Sequence, residues 1–239
     1  VRQLWSSKVG APEHFGLSVK APFATRFVSH SWDPPADWAE RMGSSCSYGE
    51  VKAIELAHAA QDIVLAKSAS ETGNWETDVT FWIDKACVPQ GHAISMEYIS
   101  RIEEFIKRCR GLVVLFSWQY FERLWCVVEW AVFLVWHAPS DIHVCASSFL
   151  RQSTLNAYLQ AIETFSVANS KCAVESDRDV LHKHISQYYT STLAFENFAK
   201  VTAISLLFLS VMRLAPYSEQ AFSAQSDDCE KWIELAQRL

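Results

Sequence analysis

GLVVLFSWQYFERLWCVVEW, residues Gly111–Trp130, is the stretch on which the reading of this chain turns. Its opening run, Gly111–Phe116, is continuously apolar, the pattern of a β-strand covered on both faces. The run stops at Ser117. From about Tyr120 to His137 the pattern becomes that of a helix, the most hydrophobic in the chain. Working toward the N-terminus, Ile94–Arg108 reads as a helix with Met96, Ile99, Ile102 and Ile106 on one stripe. Val79–Ile83 (VTFWI) reads as a strand that stops at Asp84, preceded by a polar connector, Ser68–Asp78. A helix is expected over Glu50–Lys67, with Val51, Ile54, Ala57, Ala60, Ile63 and Val64 as its apolar positions. Thr25–Ser29 (TRFVS) is a further strand, ending in the polar cluster His30-Ser31-Trp32-Asp33.

Toward the C-terminus, Ile142–Ala146 (IHVCA) is expected as a fourth strand and Leu155–Phe165 as a helix. A short fifth strand is expected near Lys171–Val174. A helical pattern follows over Asp177–Leu214, and a last amphipathic helix over Asp227–Leu239. Strands alternating with helices imply parallel pairing and a doubly wound α/β sheet. The expected organisation is an irregular N-terminal segment (1–24), punctuated by Gly10, Pro12, Gly16 and Pro22, then an α/β domain (25–175) and a helical extension (176–239).

Composition narrows the class of protein. Of 239 residues 50% are hydrophobic and 20% charged, with only 7 Gly and 7 Pro, which excludes a disordered or low-complexity chain. A net charge of -6 argues against nucleic acid, whose binding needs a concentrated basic face. Ten Trp, 14 Phe and 7 Tyr supply large buried areas for a core. The 7 cysteines are widely spaced with no C-x-x-C pair, so reduced thiols of a cytoplasmic protein are expected, not a disulfide framework. No run reaches the roughly 18 apolar residues of a membrane span; the nearest, Ala203–Met212, is too short. The chain opens at Val1 and stops at Leu239 inside a helical pattern, as expected of an excerpt from a longer protein.

In doubly wound sheets ligands bind at the carboxyl ends of strands, here Ser29–Asp33, Asp84–Gly91 and Ser117–Tyr120. The dinucleotide fingerprint G-x-G-x-x-G, the Walker A loop and the G-x-S-x-G elbow are all absent. A phosphoacceptor Asp after the third strand is replaced by Ser117. What remains is Glu129, the only charged residue between Leu124 and Trp136. Helical spacing puts Trp125, Val132, Phe133 and Trp136 on its face. An unpaired buried carboxylate costs several kcal/mol, so Glu129 is paired, protonated or set in a cleft, or else turns to solvent or a local hydrogen bond.

Three boxes carry a resemblance: FVSHSWD (Phe27–Asp33), FWIDKACVPQG (Phe81–Gly91) and Gly111–Trp130. Together they resemble a TIR domain (Toll/interleukin receptor homology), closely over about residues 25–147 and loosely to about 175. The matching positions are Ser29, Trp82–Asp84, Gly91, Ser117 and the W-x-x-x-E pair Trp125 and Glu129. The resemblance implies a flavodoxin-like fold of about five parallel strands. It also implies one of two functions: NAD⁺ glycohydrolase or cyclase, with Glu129 catalytic, or a silent signalling scaffold that self-associates through TIR–TIR contacts. In the first, NAD⁺ is substrate, no cofactor is required, and Ser29, His30, Ser31, Trp32, Asp84, Lys85, Ser117 and Trp125 are the candidate substrate-binding residues. The chain departs from the family in lacking a basic residue directly after the first strand, where His30, Ser31 and Trp32 stand, and a second acid between Asp84 and Gly91. Strand-end capping is the plainer role for those residues.

Other features are read structurally. His182 and His184 point to different faces of a helix and suggest no metal. Cys87 and Cys126 read as buried thiols, and the acidic pairs Glu103-Glu104 and Asp227-Asp228 as solvated faces. The stripe Phe198, Val201, Ile204, Phe208 and Val211 reads as core, or as a docking face for another domain.

Overall fold

A computed structural model describes residues 2–5, 12–21, 24–67, 79–89, 100–172 and 174–214. The protein is α/β, built on a parallel sheet of four strands: β1 (Arg26–His30), β2 (Phe81–Trp82), β3 (Gly111–Leu115) and β4 (Ile142–Cys145). The spatial order is β2-β1-β3-β4, every neighbouring pair parallel. Register aligns Arg26 with Phe81 and Gly111, and Val113 with Val28 and His143. The chain thus moves from β1 to one side and then to the other, and the switch point lies at the carboxyl ends of β1 and β3, where His30 is in register with Leu115.

The described helices, in chain order, are α1 (Arg2–Trp5), α2 (Pro12–Phe15), α3 (Trp38–Met42), α4 (Tyr48–Lys67), α5 (Asp84–Cys87), α6 (Ile102–Arg108), α7 (Leu124–Trp136), α8 (Gln152–Glu163), α9 (Asp177–Tyr188) and α10 (Thr192–Leu214). By contacts the chain divides into two compact units, Val1–Leu115 with Val132–Cys145, and Phe116–Ala131 with Ala146–Leu239.

The first unit holds the sheet. All of β3 is buried, as its unbroken apolar run requires. Gly111 opens it because a side chain there would press to 2.8 Å from both Arg26 Nε and the Asp141 carbonyl oxygen. The short β2 is reinforced by a threonine clamp: Thr25 Oγ1 donates to the Thr80 carbonyl at 2.7 Å, and the Thr80 amide donates to Thr25 Oγ1 at 2.7 Å. Beside it Phe27, Trp82 and Phe105 stack, with centroids 4.7 and 5.1 Å apart. Such offset ring pairs contribute about 0.5–1.5 kcal/mol beyond their buried area.

The second unit is organised on Phe116. Its ring meets Tyr120, Phe121, Trp130 and Tyr158 at 5.1, 5.7, 5.9 and 5.5 Å. Its carbonyl accepts a hydrogen bond from the Tyr158 hydroxyl. The cluster continues from Phe121 to Phe165 and on to Phe195 of α10.

Several expectations change. The expected fifth strand near Lys171–Val174 is a single parallel bridge between Arg123 and Lys171, so the sheet has four strands among the described residues. Segment 1–24, read as irregular, contains α1 and α2. The helical pattern over Asp177–Leu214 breaks into α9 and α10 at Tyr189–Ser191. On α10 the buried residues are Phe195, Ala199, Ala203, Ile204, Leu206 and Leu207; Ile204 of the expected stripe is among them, whereas Val201 is 49% exposed. On α4, Ile54 is 46% exposed while Lys52 and Glu55 are buried. The connector Ser68–Asp78, the first part of the Ile94–Arg108 helix, Gly91 and the helix expected over Asp227–Leu239 lie outside the described residues. Among the described residues no helix is long and apolar enough to cross a membrane, and the six described cysteines are free thiols.

Phe116→Ala is expected to destabilise the protein by about 3–5 kcal/mol, the usual loss for removing a fully buried ring, read as a drop in the urea midpoint.

Candidate functional site

In the first unit, the carboxyl ends of β1 and β2 bring six of the candidate residues together. Ser29 and His30 end β1, both buried because β1 is a central strand. Ser31 and Trp32 continue from it; the Ser31 hydroxyl turns back to donate to the Asp33 carbonyl at 2.9 Å. Asp84 and Lys85 begin the single turn α5 directly after β2.

Asp84 is the centre of this cluster. Its Oδ1 lies 3.0 Å from His30 Nε2 and accepts the Lys85 amide N–H at 2.6 Å; its Oδ2 accepts the indole N–H of Trp32. Burial alone would raise the carboxyl pKa. The neighbouring His30, together with hydrogen bonds from His30, Trp32 and the Lys85 backbone, overrides this and holds it below the ordinary carboxylate value. Asp84 is therefore ionised at neutral pH, and its acceptor positions serve to hold the Trp32 loop against the end of β2.

Burial is also the largest influence on His30 and pushes its imidazole down; Asp84 pulls it up and Lys52 pushes it further down. Nδ1 lies 3.1 Å from the Ser31 carbonyl, so both ring nitrogens face acceptors, but the net direction remains downward and the neutral ring donates through only one of them at a time. Burial likewise lowers the Lys85 ammonium, against Asp84 and Asp33. Lys85 Nζ stands 4.9 Å over the Trp32 ring. The cysteine of this turn, Cys87, is pushed up by burial, which keeps it a thiol.

Three residues that the sequence did not single out belong to the same cluster. Lys52 of α4 is only 1% exposed; its Nζ donates to the Ser31 carbonyl at 3.0 Å and stands 4.3 and 4.5 Å over the rings of Trp5 and Tyr48. Trp5 in turn meets the His30 ring edge-on at 4.6 Å. A signal for Lys52 existed in the sequence, since it stands next to Val51 on the apolar side of a helix.

In the second unit lie Ser117, Trp125 and Glu129. Ser117 is buried and its carbonyl accepts the Tyr120 amide at 2.9 Å, starting the short 3-10 turn Tyr120–Glu122 that leads into α7. Trp125 and Glu129 are one turn apart on α7. Glu129 is 8% exposed. The Trp125 indole N–H donates to Asp177 Oδ2 at 3.0 Å, so the first residue of α9, itself buried, positions the tryptophan of the W-x-x-x-E pair. Nothing in the sequence marked Asp177 for this. It reads as an ordinary first-turn acid of a helix.

The pKa directions predict a pH response. The unfolded chain protonates His30 near its ordinary value of 6.5. The folded chain does so only at lower pH, so below 6.5 the unfolded state binds more protons and stability is lost as pH falls. The depressed Asp84 adds a second loss of the same sign, but only below its ordinary value of 3.8. The melting temperature should fall from about pH 7 to about pH 5, and His30→Gln should flatten that slope. An unchanged slope in the variant would assign the response to another group.

Compared with known protein families, curated proteins and solved structures, the chain matches none.

Proposed function

We propose that this chain is a TIR-like NAD⁺ glycohydrolase or cyclase acting in the cytoplasm, with Glu129 as its catalytic carboxylate. The reading rests on the W-x-x-x-E spacing that sets Glu129 one turn after Trp125 on α7, a helix with no other charge, where Glu129 is 8% exposed. The strand order β2-β1-β3-β4 supports it, being that of the first four strands of the flavodoxin-like order.

The chemistry suits such sparse equipment. As the ribosyl C1′–N bond breaks, nicotinamide leaves with the bonding electron pair, and its ring passes from cation to neutral. No general acid is needed, unlike glycoside hydrolysis with its two carboxyl groups. C1′ is left as an oxocarbenium ion, which a carboxylate stabilises far more strongly in a water-poor, low-dielectric setting than in bulk water. Water then adds at C1′ and releases a proton, giving ADP-ribose; attack by an adenine nitrogen of the same molecule gives a cyclic product instead.

In this reading Trp125 and Ser117 serve α7 and its approach, and Ser29, His30, Ser31, Trp32, Asp84 and Lys85 belong to the substrate-binding set. The hydrogen bonds of Asp84 give it a positioning role toward Trp32. Self-association through TIR–TIR contacts belongs to the same proposal, so turnover is to be measured at high protein concentration and with a crowding agent.

Incubation of the purified protein with NAD⁺ should release nicotinamide, followed by chromatography, and Glu129→Gln should slow release by about 10²-fold or more. Equal release by parent and variant would remove Glu129 from the mechanism. No release by the parent at any concentration would leave the self-associating scaffold as the function.

A further inference from the structure

Trp5 occupies an unusual position for a residue of a four-residue helix. It is 6% exposed and lies against the end of β1, at the strand-end face where doubly wound sheets receive ligands. One side of its indole carries the Lys52 ammonium at 4.3 Å, and the edge-on His30 ring stands at 4.6 Å. Lys52 is fixed there by the Ser31 carbonyl and by the Tyr48 ring. The approach of α1 to α4 depends on Gly49, where any Cβ would run into the Trp5 carbonyl oxygen.

The fit is good for the faces of the ring and poor for its polar edge. Trp32, Trp38 and Trp125 place their indole N–H groups on Asp84, the Cys46 carbonyl and Asp177. The buried N–H of Trp5, like that of Trp130 in the second unit, finds no acceptor among the described residues. Native structures rarely bury a donor without a partner, because it forfeits its hydrogen bonds to water. The surroundings therefore select a flat bicycle under a cation but not an indole in particular.

We propose that Trp5 is a built-in, displaceable occupant of a binding cradle for a purine ring, formed by His30, Tyr48 and Lys52. An N9-substituted purine has the bicyclic outline of indole and no ring N–H to strand. Its electron-rich face suits the Lys52 ammonium, whereas a pyridinium such as the nicotinamide end of NAD⁺ is repelled by that charge. Withdrawal of α1 opens the cradle, and while Trp5 is seated the apparent affinity for a purine is reduced by the fraction of molecules that are open. The cradle lies within the first unit and does not depend on turnover by Glu129.

The probe is adenosine, titrated calorimetrically into the parent chain, Trp5→Ala and Gly49→Ala, with nicotinamide mononucleotide as the ring control. Gly49→Ala keeps the indole in the chain and improves helix propensity in α4, so it reports even where Trp5→Ala fails to fold. Both variants should bind adenosine at least about tenfold more tightly than the parent. Adding Lys52→Met should abolish the gain, and nicotinamide mononucleotide should show no gain in either variant. In the parent labelled with 5-fluorotryptophan, saturating adenosine should move the fluorine resonance that is missing from Trp5→Phe. Equal or absent adenosine binding in parent and variants, an unmoved Trp5 resonance, or an equal gain for nicotinamide mononucleotide would each overturn the proposal. Nicotinamide release is not read in this experiment, so adenosine binding without turnover would retain the cradle and remove only the Glu129 reading.

Discussion

Asp84, the half-buried carboxylate that follows β2, ties the ends of two strands together: it accepts the Trp32 indole N–H and the Lys85 amide and lies 3.0 Å from His30 Nε2. The consequences spread through the first unit. His30 is held with its ring facing Trp5, Trp32 is drawn over Lys85, and the Ser31 carbonyl is left to receive Lys52. One anion thus orders two cations and two indoles. The cluster is arranged by electrostatics inside a shell of apolar packing, so its members cannot be altered one at a time without leaving a charge or a donor unmatched.

The second unit solves a different problem. Its chain passes from Phe116 through a tight 3-10 turn into α7, and nearly every ring on the way packs on another. Aromatic packing fixes where α7 begins, while the Trp125–Asp177 hydrogen bond and the Tyr189 hydroxyl on the Ala131 carbonyl at 3.3 Å tie it to the chain beyond. Glu129 is thereby carried on a helix whose rotation is set by neighbours on both flanks of its sequence. The segment after residue 176 is part of this packing through Asp177, Tyr189 and Phe195.

Periodicity served well where one force dominated. β3 is legible because a strand buried on both faces has nothing but apolar residues, and α7 because its hydrophobic run is long. Reading failed where buried charge took the place of an apolar residue. In α4 the pattern favoured Ile54 and Ala57, yet the structure turns these outward and buries Lys52 and Glu55. Lys52 is satisfied by a carbonyl and two rings that come from remote parts of the chain, which no window of sequence contains. The same holds for Trp5, whose helix is too short to show a period.

The alternation of strands and helices, the parallel sheet, the polar residues that close β1 and β2, and the isolation of Glu129 in an apolar helix are all written in the order of residues along the chain. These are local properties, set by side-chain period and by which residues can end a strand. The meeting of Asp84 with His30 and Trp32, of Trp5 with Lys52, and of Asp177 with Trp125 arises only on folding. Those pairings join residues about fifty positions apart or lying on different elements, and they follow from desolvation: each polar group taken from water must find its partner wherever the fold brings one near.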